Sequence, residues 1–306
     1  MRIFILAIVF LILLIGTAFS DMGAIVPDEA VDLTEPAQRA IIAYDGFSEI
    51  LVLSTDFDTS SDTKAVRFIP FPSKASIKEG NKETFKNLKT LVKKYNLHYL
   101  TFYRSGEPKK EGIEIVSNQT LGPHKIVQVK VNDFSDFVKW VKELFKKEGI
   151  SKEGFTEKEQ DIIVHYLKKG INYFVFDIVN LSNGINPITP LVYKFDTSYF
   201  YYPLVTSSAF PGTGSIELFI FSNYGEILEK AAFSPMPHPW RRSETAIVNW
   251  EDMEMIDPDI AKLMGEHAIF GAIKYKGTYD VKYDIWLNTS IYQLKPYNPL
   301  QNTKKR

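Results

Sequence analysis

The sequence contains no cysteine. No disulfide can staple the fold, no thiolate can act as nucleophile or metal ligand, and no cysteine is available for a lipid anchor. The fold must hold by packing alone. Zero cysteine with few glutamines fits a protein adapted to heat, where thermolabile residues are depleted. Histidine is sparse as well. There are five, His98, His124, His165, His238 and His267, and none is spaced as HExxH or HxH. A zinc site without cysteine would have to gather histidines and carboxylates from distant segments. His98 opens a strand-like run and His165 lies in a helical one, so both read as structural. A GxSxG elbow, a P-loop and a GxGxxG turn after a strand are all missing. Net charge is missing too: 36 basic residues balance 37 acidic ones. A near-neutral chain is not built as a general nucleic-acid binder. These absences weigh against the common catalytic and metal motifs, and nothing calls for a cofactor.

One long apolar run is present, at the N-terminus. Met1–Ser20 has a basic Arg2, an unbroken apolar stretch over Ile3–Ile15, a break at Gly16-Thr17, and small residues at Ala18 and Ser20. That three-part layout predicts a secretory signal cut before Asp21. The alternative is an uncleaved membrane anchor, but Ile3–Phe19 falls just short of the roughly 18 apolar residues of a spanning helix. Membrane contact is expected only if the segment is retained. The expected location is therefore extracytoplasmic, either secreted or at the cell surface.

Hydrophobic residues make up 45% of the chain, with 22 Phe and 16 Tyr. This predicts a globular, aromatic-rich core. Arg39–Tyr44 and Glu49–Ser54 flank Asp45-Gly46 and predict a β-hairpin. Thr55–Thr63 reads as a loop. Ala65–Phe71 is a strand that lies at a sheet edge or ends in a bulge, since Pro70 lies within it and Pro72 just beyond. Lys82–Tyr95, Asp133–Lys147 and a segment opened by the capping box Thr156-x-x-Glu159 read as amphipathic helices. A fourth, short helix follows Asp257-Pro258. Ile113–Val116 with Lys125–Val131 predicts a second strand pair, and Ala268–Tyr275 with Tyr279–Leu287 a closing hairpin around Gly277. The order predicts an α+β fold of largely antiparallel sheet with three to four helices. It forms a single domain over 21–296, open to division into subdomains near 150–187, with a polar tail at 297–306.

Three groups of residues are candidates for a site. Pro235–Glu244 packs His238, Trp240, Arg241, Arg242 and Glu244 into a proline-rich loop that can hold an anion or line a pocket. The simpler reading has Trp240 plugging the core. Asp56, Asp58 and Asp62 crowd an expected loop that can offer oxygens to calcium, though without the central Gly and final Glu of an EF-hand. Asn118, Asn180 and Asn288 head glycosylation sequons. Pro211-Gly212-Thr213-Gly214 reads as a hairpin loop.

The stretch EPAQRAIIAYDGFSEILVLSTDFD at 35–58, followed by VRFIPFPSK at 66–74, resembles the opening of the secreted prokaryotic family catalogued as domain of unknown function 2330. KVNDFSDFVKWV and KKGINYFVFDIVN are similar to its middle portion. The resemblance implies export and a shared domain, and supplies no catalytic residue. The expectation is an exported domain that binds or scaffolds. An extracellular hydrolase built around His238 and Glu244, and an envelope component tethered by its signal, are the alternatives.

Overall fold

The structure, a computed structural model, describes residues 24–25, 31, 33–34, 38–101, 115–209, 213–232, 240–279 and 281–289. The signal segment, His238, Pro211-Gly212 and the polar tail lie outside the described residues.

In chain order, β1 (Ala24–Ile25) and β2 (Leu33–Thr34) precede β3 (Gln38–Tyr44), β4 (Ser48–Thr59), β5 (Thr63–Phe71) and β6 (Ser76–Glu79). Helix α1 (Thr84–Lys94) leads to β7 (Tyr99–Thr101), β8 (Ile115–Leu121) and β9 (His124–Lys130). Then come α2 (Phe134–Glu148), α3 (Glu157–Leu167), β10 (Tyr173–Leu181), β11 (Gly184–Pro187), β12 (Leu191–Asp196) and β13 (Tyr199–Tyr202). A 3-10 turn (Val205–Ala209), β14 (Thr213–Ser222), α4 (Ile227–Ala232), β15 (Arg241–Ser243) and β16 (Ala246–Asn249) follow. Helices α5 (Trp250–Ile256) and α6 (Pro258–Met264), then β17 (His267–Thr278) and β18 (Ile285–Asn288), complete the order.

The fold is α+β with mostly antiparallel sheet. A five-stranded sheet runs β1-β5-β10-β9-β8. An eleven-stranded sheet has the path β6-β12-β4-β3-β14-β17-β15-β7, in which β3 and β14 are parallel. A small ribbon pairs β13 with β18. The two large sheets face each other: the Phe71 ring of β5 lies 5.0 Å from Tyr193 and 5.1 Å from Phe195, both on β12. Helix α2 covers the outer side of the smaller sheet, where Phe137 packs on Phe174 and Phe176 of β10. Helices α1, α5 and α6 cover the outer side of the larger sheet through Leu88, Leu91, Met253, Ile260 and Met264. The middle of the molecule is thus four layers, helix–sheet–sheet–helix. One apolar cluster runs from Ala40 to Leu287. Strands from both sides of 150–187 share the larger sheet, and the smaller sheet joins β10, inside that stretch, to strands that precede it.

The predicted β3–β4 hairpin is present. The Asp45 carboxylate accepts from the Phe47 and Ser48 N–H groups at 2.8 Å each. Gly46 has φ +104°, and a Cβ there would sit 2.3 Å from the Tyr224 hydroxyl, so only glycine fits. Strand β5 is not at the sheet edge but second in the order, between β1 and β10. Pro70 is accommodated because β1 pairs only at Val66 and Arg67, leaving β10 alone beside it among the described residues. Three further expectations change. The segment Thr55–Thr59 is strand, because β11 and β2 supply pairing partners for the far half of β4. The closing hairpin does not form. Instead β17 continues through Gly277 to Thr278 along β14, and β18 pairs with β13. Six helices are present among the described residues, α4 and α5 being too short to show a clear apolar period.

Candidate functional site

Helix α2 is well specified by its sequence. Asp133 caps it, accepting from the Asp136 N–H at 2.9 Å, and Gly149 closes it in the left-handed conformation at φ +65°. Phe137, Val141, Leu144 and Phe145 form the stripe that packs on the smaller sheet. Trp140 stands on the flank of that stripe. Its indole stacks on Phe137 at 6.0 Å and meets the Phe176 ring edgewise at 5.4 Å. The flank does not close against the sheet. A cleft of about 210 Å³ opens there, lined by Trp140, Val127, Leu144, Lys125, Glu143, Lys147 and Glu148. Its floor is apolar and its rim carries both signs of charge.

One end of the cleft is fixed by an ion pair. The Lys125 ammonium donates to both oxygens of Glu148, at 2.6 and 2.8 Å. Lys64 of β5 donates to the Glu148 carbonyl. Glu148 is buried while Glu143 and Lys147 are exposed. A half-buried indole beside anchored charges forms a preformed notch. Common ligand pockets occupy roughly 300–1,000 Å³, so this one is sized for a single apolar side chain.

The structure separates the residues of the proline-rich segment. Trp240 is buried in the main core, 5.6 Å from the Tyr275 ring. Arg241 and Glu244 are exposed and Arg242 is half-buried. The three aspartates are not in one loop. Asp56 and Asp58 lie on β4, opposite Pro187 and Ile185. Asp62 sits in the following turn, where it accepts from the Asn183 N–H at 2.9 Å. No group of three or more metal-ligating side chains occurs among the described residues. Asn118 is on β8, Asn180 is exposed near the end of β10, and Asn288 is half-buried at the end of β18.

A charged group that the sequence reading missed lies between the two large sheets. Arg67 of β5 and Asp177 of β10 are cross-strand partners and form a buried ion pair. Nδ1 of His124 faces the same carboxylate at 2.9 Å, and Nε2 faces the Thr189 carbonyl at 2.9 Å. Burial opposes ionisation of Asp177, but Arg67 and His124 outweigh it and hold its carboxyl below the ordinary range. All three side chains are at most 2% exposed. Closed to solvent, the group joins three neighbouring strands and the segment before β12. The signal for it was an aspartate inside the apolar run YFVFDIVNL.

A second buried pair of carboxyls surrounds the β13–β18 ribbon. Glu49 accepts from the Tyr201 N–H at 2.8 Å. Asp284 accepts from the Tyr166 hydroxyl at 2.8 Å and from the N–H groups of Leu204 and Val205 at 2.9 and 3.0 Å. Burial raises the pKa of both, for Glu49 well above its ordinary value.

No helix among the described residues is long and apolar enough to cross a membrane. The model of the family described as "Uncharacterized protein conserved in bacteria (DUF2330)" matches residues 17–233. No curated protein matches the sequence. Among solved structures, a mutated baculovirus P35 after caspase cleavage is 8% identical with a TM-score of 0.40, covering 82% of this chain and 98% of that one. A chain of the caspase-8/P35 complex is 9% identical with a TM-score of 0.38, covering 83% of this chain and 96% of that one.

Proposed function

The chain belongs to the DUF2330 family of bacterial proteins, and from that premise we propose that it is an exported domain that binds another protein and does no chemistry. The contact point is the cleft between α2 and β9. The observation that carries this reading is the half-buried Trp140 indole over an apolar floor, with Lys125 and Glu148 locked at one end. Binding hot spots are enriched in tryptophan and cluster in well-packed pockets. The notch suits an apolar side chain presented by a partner polypeptide. Export is supported by the layout of Met1–Ser20, with release after Ser20 as the expected processing.

Placing a photoreactive benzoylphenylalanine at Trp140 in the exporting cell tests this reading. A discrete protein adduct is expected from position 140 and not from Lys89, which is exposed on α1 on the far side of the molecule. An exported, folded protein that gives no adduct at position 140 would overturn it.

A further inference from the structure

The outer face of the larger sheet carries a row of charges beyond the helices that cover its middle. Strand register places Arg39 of β3, Glu217 of β14, Lys274 of β17 and Arg241 of β15 side by side. Register partners share a face, and neighbouring strands lie about 4.8 Å apart, so the row spans about 14 Å. Lys276 belongs to the same face, two residues beyond Lys274 and opposite Ser215. Arg39 lies over the Phe85 ring of α1 at 5.7 Å. Glu217 accepts from the Tyr99 hydroxyl at 2.6 Å and from Lys274 at 3.2 Å.

The arrangement is unfavourable by itself. Arg241 and Lys274 are direct cross-strand partners, and like charges in that position destabilise a sheet. Glu217 answers Lys274 on the other side. Arg241 and Lys276 are exposed, and no carboxylate pairs with either among the described residues. Arg39 packs on Phe85 and Lys274 pairs with Glu217, but exposed cations add little to stability, so packing gives no reason for Arg241 and Lys276 beside them. An anion lying between Arg241 and Lys274 would remove the repulsion. Tyr99 of β7 completes the surface. It is 36% exposed and shares this face through its register with Ser243.

We propose that this row, Arg39, Arg241, Lys274 and Lys276 with Tyr99, is a binding surface for an acidic polysaccharide. Cations at strand spacing meet carboxylate or sulfate groups that recur along an extended chain. The Tyr99 ring offers an apolar face to a sugar ring. The surface is distinct from the Trp140 cleft, which lies on the other large sheet, so the two readings stand or fall separately.

The test measures binding of fluorescent polygalacturonate and heparin to the purified mature protein, with dextran as the neutral polymer. At least one acidic glycan is expected to bind, and dextran not to. The pair Arg241→Glu with Lys276→Glu is expected to weaken binding about tenfold or more, as loss of charge-assisted contacts implies. The pair Lys139→Glu with Lys146→Glu on α2 makes the same change in net charge and is expected to leave affinity unchanged. Three results would overturn the proposal: no binding of either glycan at low salt, equal losses in both double variants, or equally tight binding of poly-glutamate or single-stranded DNA. Matching thermal melts of the variants keep misfolding out of the comparison.

Discussion

Glu49 is fully buried at the start of β4, and its Oε1 has no hydrogen-bond partner among the described residues. Asp284 is also buried, so both carboxyls hold their protons to a higher pH in the folded chain than in the unfolded one. A raised carboxyl pKa gives stability that is full below the unfolded value and is lost as pH rises above it. The melting temperature should therefore fall as pH is raised from the ordinary carboxyl range towards alkaline values. Glu49→Gln should flatten that slope and be the more stable protein at the alkaline end. A wild-type melting temperature that rises across this window would contradict the assignment. Asp177 behaves in the opposite sense, since its lowered pKa gives stability that is lost as pH falls. Removing Arg67 by Arg67→Met should cost about 3–5 kcal/mol in urea denaturation, because a buried carboxylate loses its one permanently charged partner and keeps only His124. Adding Asp177→Leu to that variant should recover part of the loss. Little of this was legible in the sequence. A lone Asp in an apolar strand signals a buried charge, but its partners stand 110 and 53 residues away and only the strand register joins them.

Elements with their own local code followed the sequence closely. Helix α3 opens with the capping box read from Thr156 and Glu159, both halves of which are formed. Thr156→Ala should cost about 1 kcal/mol of stability by calorimetry, and a loss near zero would show the cap to be idle. Helix α2 shows its inward stripe in full, yet Trp140 was passed over because it lies on the flank of that stripe. Elements defined by distant partners were hidden. Strand β4 runs into a segment rich in Asp, Ser and Thr because β11, more than a hundred residues later, pairs with it. Gly277 resembled a turn, but there Gly214 of β14 lies opposite it and the strand continues. Gly271 on β17 marks another such contact. A Cβ there would lie 2.3 Å from Leu228 of α4. Gly271→Ala should lower the melting temperature, while Gly225→Ala, where the nearest atom is 3.3 Å away, should be tolerated better.

The whole molecule is stabilised by packing two large sheets face to face, with helices outside both. That architecture answers the missing cysteines: a large aromatic-rich cluster between and beside the sheets, and a second one under α1, α5 and α6, take the place of covalent cross-links. The α+β class was legible from the order of elements. The two-sheet sandwich was not, because the chain crosses between the sheets repeatedly and hairpin signals report only neighbours. The candidate surfaces lie at opposite sides of the sandwich, the Trp140 cleft by the smaller sheet and the charged row on the larger. Of the residues singled out beforehand, Arg241 alone belongs to one of them. Both surfaces are read for a protein working outside the cytoplasm. Export is measured most directly by the intact mass of the native protein in separated cytoplasm, envelope and medium. A mass beginning at Asp21, recovered from envelope or medium, is expected. A chain beginning at Met1 and confined to the cytoplasm would contradict it.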